Sequence, residues 1–301
     1  MTDPQAVVGA WPSCAVPPLP PARGYESSTT VDLRPRYEDI AQDGRVQLTT
    51  LMPGLGAVWR SLGDSATLEA LRKQRILPIL RRIVIAGEHG PFSVHAPIHC
   101  TGTWRLAREK DGDRIFLDMW LEAFAPHGSS LAPPPAADAE RVLVGRIYAE
   151  HIVTRPFDPP ATRKVTQLDL PGLPAVPEDA HAFEEAEDLV AGRTLMTGGE
   201  HVFGMMHTDS NQHVNSLVYP RLFEEAAIRQ LAARDDVRAP EKLLARAVEL
   251  RYRKPFFAGD RAAIRLHAEP TEGGRRAIAV GSFGPEGDSA KPSCTVAMWL
   301  G

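Results

Sequence analysis

Apolar and charged residues alternate without a break in Val248-Glu249-Leu250-Arg251-Tyr252-Arg253, the pattern of an antiparallel strand buried on one face. The same reading predicts a strand over 245–255 and further strands over 262–269, 275–283 and 294–300. They follow a strand over 199–207 and an amphipathic helix over 217–234. The first half of the chain carries a similar order. A weakly alternating strand over 31–40 precedes an apolar stretch, 48–62, read as a helix although Pro53, Gly54 and Gly56 give it poor propensity. A second helical stretch spans 67–82, broken near Pro78, and strands follow over 83–86, 93–107, 114–124 and 141–154. Turn-rich pieces at 110–113, 127–137, 258–260 and 272–274 separate the strands.

Each half therefore reads as one curved antiparallel sheet around one central helix, an α+β architecture repeated in tandem. The expected organisation is a Pro-rich segment over 1–30, a first domain over 31–156, a Pro-rich then acidic linker over 157–198, and a second domain over 199–301. The N-terminal segment reads as loosely ordered or draped over the first domain.

Composition narrows the class. The chain has 301 residues, 43% of them hydrophobic, and a net charge of −4, which suits one large or two ordinary soluble domains. No run approaches the ~18 apolar residues of a membrane span, and the N-terminus lacks the basic region and apolar stretch of a signal peptide. Cys14, Cys100 and Cys294 are odd in number and far apart, so the expectation is a reducing, cytoplasmic setting and no disulfide framework. Basic residues are interspersed with acids and form no stripe with aromatics, which argues against nucleic acid as a partner.

The chemistry concentrates in HTDSNQHVNSLVYPRLFEE, residues 207–225. Asp209, Asn211 and His213 offer a carboxylate, an amide and an imidazole at alternate positions. Asn215 and Ser216 stand where a helix would be capped, and Pro220 is tolerated in its first turn. A helix begun there would present free N–H groups to a carbonyl. Such parts suit acyl-thioester hydrolysis: a base or nucleophile, donors, and a place for an oxyanion. A blander reading makes Asp209 a turn or cap residue and His213 a ring bonded to backbone.

This run resembles the D-x-N-x-H-V-N-N-x-x-Y signature of acyl-ACP thioesterases of the hotdog fold, through Asp209, Asn211, His213, Val214, Asn215 and Tyr219, with Ser216 in place of the second Asn. It also resembles the D-x-x-x-x-V core of 4-hydroxybenzoyl-CoA thioesterases. The resemblance implies two hotdogs fused as an intramolecular pseudo-dimer, an arrangement that leaves a homodimer of such chains open. It implies Asp209 as general base or nucleophile, with Asn211 and His213 orienting water and thioester. An oxyanion contact is implied at a backbone N–H near Ser216, with Asn215, Ser216 and Tyr219 around the substrate. A helix Glu is implied too, aligned with Glu225. Its neighbour Glu224 points about 100° away, so one of the two can face a site, and the apolar stripe Tyr219, Leu222, Phe223, Ala226 leaves Glu225 the more solvent-facing. The substrate implied is an acyl-CoA or an acyl carrier protein thioester, with no metal or cofactor. The sequence departs from the pattern after Tyr252-Arg253-Lys254, where Pro255 and Phe256 stand in place of a further Glu or Cys.

Aligning Val46 with Val214 sets the two halves 168 residues apart, the difference between 214 and 46. Asp209 then faces Ala41, Asn211 faces Asp43, His213 faces Arg45, and the two helix acids face Gly56 and Ala57. One working site per chain is expected, with the second hotdog supplying chemistry and the first supplying walls of the substrate channel. Two other readings stay open: a dehydratase or cyclase acting on a carrier-bound fatty acyl or polyketide chain, and a silent acyl-binding protein. Other signals fade. His95 and His99 would lie about 13 Å apart along a strand, Gly54-Leu55-Gly56 lacks a third glycine, and there is no G-x-S-x-G elbow.

Overall fold

The computed structural model describes residues 16–20, 27–183, 190–286 and 292–301. They fall into two compact units, one up to residue 183 and one from residue 190. Cys14, most of the N-terminal segment and residues 184–189 of the predicted linker lie outside the described residues.

The first unit contains β1 (Ser27–Leu33), α1 (Met52–Arg60), α2 (Ser65–Lys73), β2 (Leu77–Gly87), β3 (Ile98–Arg108), β4 (Ile115–Pro126) and β5 (Arg141–Thr154). Its sheet runs β1-β3-β4-β5-β2, and each of these pairings is antiparallel. The second contains β6 (Met196–Val202), α3 (Val218–Ala232), β7 (Ala245–Tyr252), β8 (Arg261–Thr271), β9 (Arg276–Pro285) and β10 (Cys294–Leu300). Its sheet runs β6-β8-β9-β10-β7, also antiparallel throughout. The two sheets have the same topology strand for strand, with α1 and α3 at the same place in the order. The internal repeat read from the sequence is therefore real in the backbone.

Helix α1 lies close to its sheet. A Cβ at Gly102 on β3 would come 2.1 Å from Val58 Cγ2, and one at Gly54 on α1 would come 2.8 Å from Leu121 Cδ2. The glycine that weakens α1 by propensity thus lets it approach β4. Gly102→Ala should cost about 1–3 kcal/mol by overpacking, measurable by urea denaturation.

Several predicted bounds move. The helix expected over 67–82 stops at Lys73, Arg75 turns the chain at φ 57°, and Leu77–Arg82 joins β2 through its ladder with β5. Long-range pairing overrides a locally helical stretch there. The strand expected over 31–40 is β1 followed by a 3-10 turn, Tyr37–Asp39; the strand expected over 199–207 ends at Val202 and yields to another, Met205–His207. The helix over 48–62 opens as a 3-10 turn, Leu48–Leu51.

The outer side of the first sheet is covered. Trp120 Nε1 donates to the Pro17 carbonyl at 3.1 Å, and Val165, Leu170 and Ala180 of the predicted linker are buried. The stretch also bridges Arg108 at His181 and Thr154 at Lys164. Beneath it lies a buried polar cluster. Arg105 donates to Asp118 Oδ2 at 3.3 and 3.2 Å and to the His181 carbonyl at 2.9 Å. The Tyr148 hydroxyl donates to Asp118 Oδ1 at 3.1 Å and lies 3.4 Å from Glu150 Oε2, and Arg81 pairs with Glu150 at 3.3 Å. Burial pushes the Asp118 carboxyl up to about 7, against the pull of Arg105.

Candidate active site

The run 204–215 folds into a tight turn ahead of α3. Thr208 and Val214 form an antiparallel bridge, Asp209 N–H donates to the His213 carbonyl at 3.0 Å, and Gln212 N–H donates to the Asp209 carbonyl at 2.9 Å. Gln212 sits at φ 65°, a left-handed conformation that non-glycine residues adopt at some cost. Asp209 is half-buried, and its Oδ1 accepts the Asn211 N–H at 2.8 Å. Its Oδ2 has no partner among the described residues. Asn211 and His213 are exposed beside it. The alternate spacing thus sets carboxylate, amide and imidazole on one turn, as the sequence implies.

The backbone donors that follow are nearly all in use. Asn215 N–H bonds the His207 carbonyl at 2.8 Å, Leu217 N–H bonds Asn215 Oδ1 at 2.8 Å, and Val218 N–H bonds the Asn215 carbonyl at 3.0 Å. Only the Ser216 N–H in this group has no partner among the described residues. Asn215 therefore closes an Asx turn just ahead of α3, whose N-cap is Leu217.

A second turn braces the first. Val214 N–H donates to the Phe256 carbonyl at 2.8 Å, His213 bridges Phe257, and the two rings meet edge-on at 5.2 Å. Asp260 Oδ2 accepts the Phe257 N–H at 2.8 Å, closing that turn around Gly259 at φ 91°. Phe256 is a buried packing residue whose ring centroid lies 5.1 Å from that of Phe203, the planes tilted by 40°. The sequence marked 258–260 only as a turn; that it supports His213 depends on a pairing no local signal announces.

The remaining candidates separate. Tyr219 is buried against Tyr252 and Phe283, and burial raises its phenol well above the ordinary value. Glu224 Oε1 accepts the Ala245 N–H at 2.7 Å, tying α3 to the start of β7. Burial raises its carboxyl, while that hydrogen bond and Arg246 oppose the shift. Glu225 is exposed, 3.8 Å from Arg229 and within electrostatic reach of His201. The structure thus places Asp209, Asn211 and His213 on one turn with Asn215 and Ser216 directly after it, and gives both helix acids other partners.

No protein-family model matches the sequence, and no curated protein matches it. Solved structures do match. A Lactobacillus plantarum protein assigned as an oleoyl thioesterase aligns over 92% of this chain and 96% of its own, with a TM-score of 0.59 at 16% identity. The 12:0-ACP thioesterase of Umbellularia californica aligns over 93% and 98%, at 0.54 and 15%. An acyl-ACP thioesterase of Bacteroides thetaiotaomicron aligns over 91% and 98%, at 0.57 and 13%. The chain is a double hotdog.

Within the double hotdog, the first copy keeps the turn but has Ala41, Asp43 and Arg45 where Asp209, Asn211 and His213 stand. At the 168-residue offset, Ile40 bridges Val46, Ala41 N–H donates to the Arg45 carbonyl at 2.8 Å, and Gly44 N–H donates to the Ala41 carbonyl at 2.9 Å. Gly44 takes the left-handed position at φ 80°. Even the entry matches: Arg36 N–H is accepted by Asp39 Oδ2 and Gly204 N–H by His207 Nδ1, at 2.8 and 2.9 Å. But Ala41 has no carboxylate, and the turn is packed under its neighbouring loop. A Cβ at Gly44 would fall 2.3 Å from Pro91 Cβ, and one at Gly90 would fall 2.5 Å from Arg45 Cγ. Asp43 and Arg45 approach each other at 3.8 Å.

Among the described residues no three His, Cys, Asp or Glu side chains could together hold a metal, and no helix is long and apolar enough to cross a membrane. Cys100 and Cys294 are buried free thiols, both pushed above their ordinary range by burial.

Proposed function

We propose that this double hotdog is an acyl thioesterase that converts an acyl-CoA or acyl carrier protein thioester and water into a free acid and a thiol. One observation carries the reading: a half-buried carboxylate with an uncommitted oxygen, Asp209, lies on the turn that leads directly into an uncommitted backbone donor, the Ser216 N–H. A base and an oxyanion donor close together in the chain are parts that acyl transfer to water needs.

In this account Asp209 Oδ2 takes a proton from water as the water oxygen attacks the thioester carbonyl carbon. The tetrahedral oxyanion is held by the Ser216 N–H. Collapse breaks the carbon–sulfur bond, and the proton on Asp209 passes to the departing thiolate. His213 and Asn211, exposed on the same turn, orient water and thioester. Glu224 serves the fold through its bond to Ala245, and Glu225 is a surface charge, so Glu225→Gln should change kcat by less than about twofold in a steady-state assay. The pantetheine arm common to both carriers fits a turn open to solvent. A cytoplasmic setting with acyl chains of fatty acid or polyketide type agrees with the buried free thiols and the thioester chemistry. Free-thiol release across a panel of acyl-CoA and acyl carrier protein substrates tests the reading. Release above the uncatalysed rate is expected, and its absence on every substrate would overturn it.

A further inference from the structure

We propose that Tyr252 is a positioning residue for the oxyanion-holding amide at Ser216, an inference that rests on the thioesterase reading above. Tyr252 is the last residue of β7 and pairs with Cys294 on β10. Its hydroxyl crosses to the entrance of α3 and donates to the Ser216 carbonyl at 3.2 Å. Its ring is held edge-on to Tyr219 of α3 at 5.5 Å.

The consequence follows from the backbone around Ser216. The peptide before it is fixed because the Asn215 carbonyl accepts the Val218 N–H. The peptide after it is fixed twice: its N–H is taken by Asn215 Oδ1, and its carbonyl by Tyr252. Ser216 is thereby held at both dihedrals, with its own N–H left uncommitted. Donors that need no reorganisation are what make an oxyanion site effective. Burial keeps the Tyr252 phenol far above its ordinary value, so the hydroxyl remains a donor at any working pH. β2, the strand matching β7, reads LPILRRIVIAG and has Val84 at the position of Tyr252, so this hydroxyl has no counterpart on that strand. The tyrosine is present in the copy that carries the carboxylate and absent from the matching strand of the one that lacks it.

The test is Tyr252→Phe, which removes one hydroxyl and leaves the ring. Two coenzyme A probes accompany it: an acyl trifluoromethyl ketone, whose tetrahedral adduct places an oxyanion at the carbonyl, and an acyl thioether, which has no carbonyl there. Expected is a fall in kcat of about tenfold, less than the roughly 10²–10³-fold for deleting a direct donor. KM should stay within about twofold and the pH profile should keep its shape, because no titrating group changes. Ketone binding should weaken by about the same factor as kcat, and thioether binding should not change. Unchanged kcat, or equal weakening of both probes, would overturn the inference while leaving the thioesterase reading intact. A wild-type protein that neither hydrolyses thioesters nor prefers the ketone would overturn both.

Discussion

Asp209→Asn should leave the double hotdog folded and lower kcat by roughly 10²–10⁴-fold, the usual contribution of a general base. Asn is nearly isosteric, and its side-chain oxygen can still accept the Asn211 N–H that Asp209 Oδ1 accepts at 2.8 Å, so the turn should persist. What disappears is the uncommitted oxygen as a proton acceptor. Asn211→Ala and His213→Ala should cost less, since both side chains are exposed and positioning is their assigned part. Asp43→Ala, in the silent copy, should leave turnover near wild type, because its turn offers no carboxylate at Ala41 and is packed beneath Pro91. Steady-state kinetics of the four variants on the best thioester decides this. Equal losses for Asp43→Ala and Asp209→Asn would defeat the one-site account.

The largest stability effect is expected at Asp118. Replacing it with Ala strands the buried Arg105 guanidinium, which Asp118 holds at 3.2 Å, and takes one acceptor from Tyr148. Breaking one side of a buried pair costs about 3–5 kcal/mol, to be read by urea denaturation. Asp118 also predicts a pH dependence. Its folded carboxyl sits at about 7, above its ordinary 3.8, so the folded state binds that proton more tightly. The associated stability is fully present below 3.8 and lost as pH rises through about 7. Relative to Asp118→Asn, which cannot titrate, the wild type should lose stability across that window and level off above it. A flat difference between the two proteins from pH 4 to 8 would refute the assignment.

Local pattern carried the elements whose two faces differ. β5 and β10 run over the predicted residues, because alternation and flanking turns delimit them. It failed at β2, where Leu77–Arg82 was read as helical past the break at Pro78, and the ladder with β5 makes it strand. The candidate turn was legible because its polar side chains are contiguous: Asp209, Asn211 and His213 lie within five residues, and at the offset of the repeat the backbone hydrogen bonds of the turn recur. Tyr252 and the turn around Gly259 were not legible as supports, since Tyr252 reaches the Ser216 carbonyl from the end of β7 and the Phe256 carbonyl reaches Val214 from the loop before β8. Nor could spacing reveal that Arg105, Asp118 and Glu150 are buried, because the chain covering them comes from the stretch that composition marks as a linker.

Thioester hydrolysis is tested most directly by the fate of a carrier-bound acyl group in ¹⁸O-labelled water, followed by intact mass. Expected is carrier returned with a free thiol and an acid bearing one ¹⁸O in its carboxyl. A carrier that keeps its acyl group and loses the mass of water, or one that is unchanged, would contradict it.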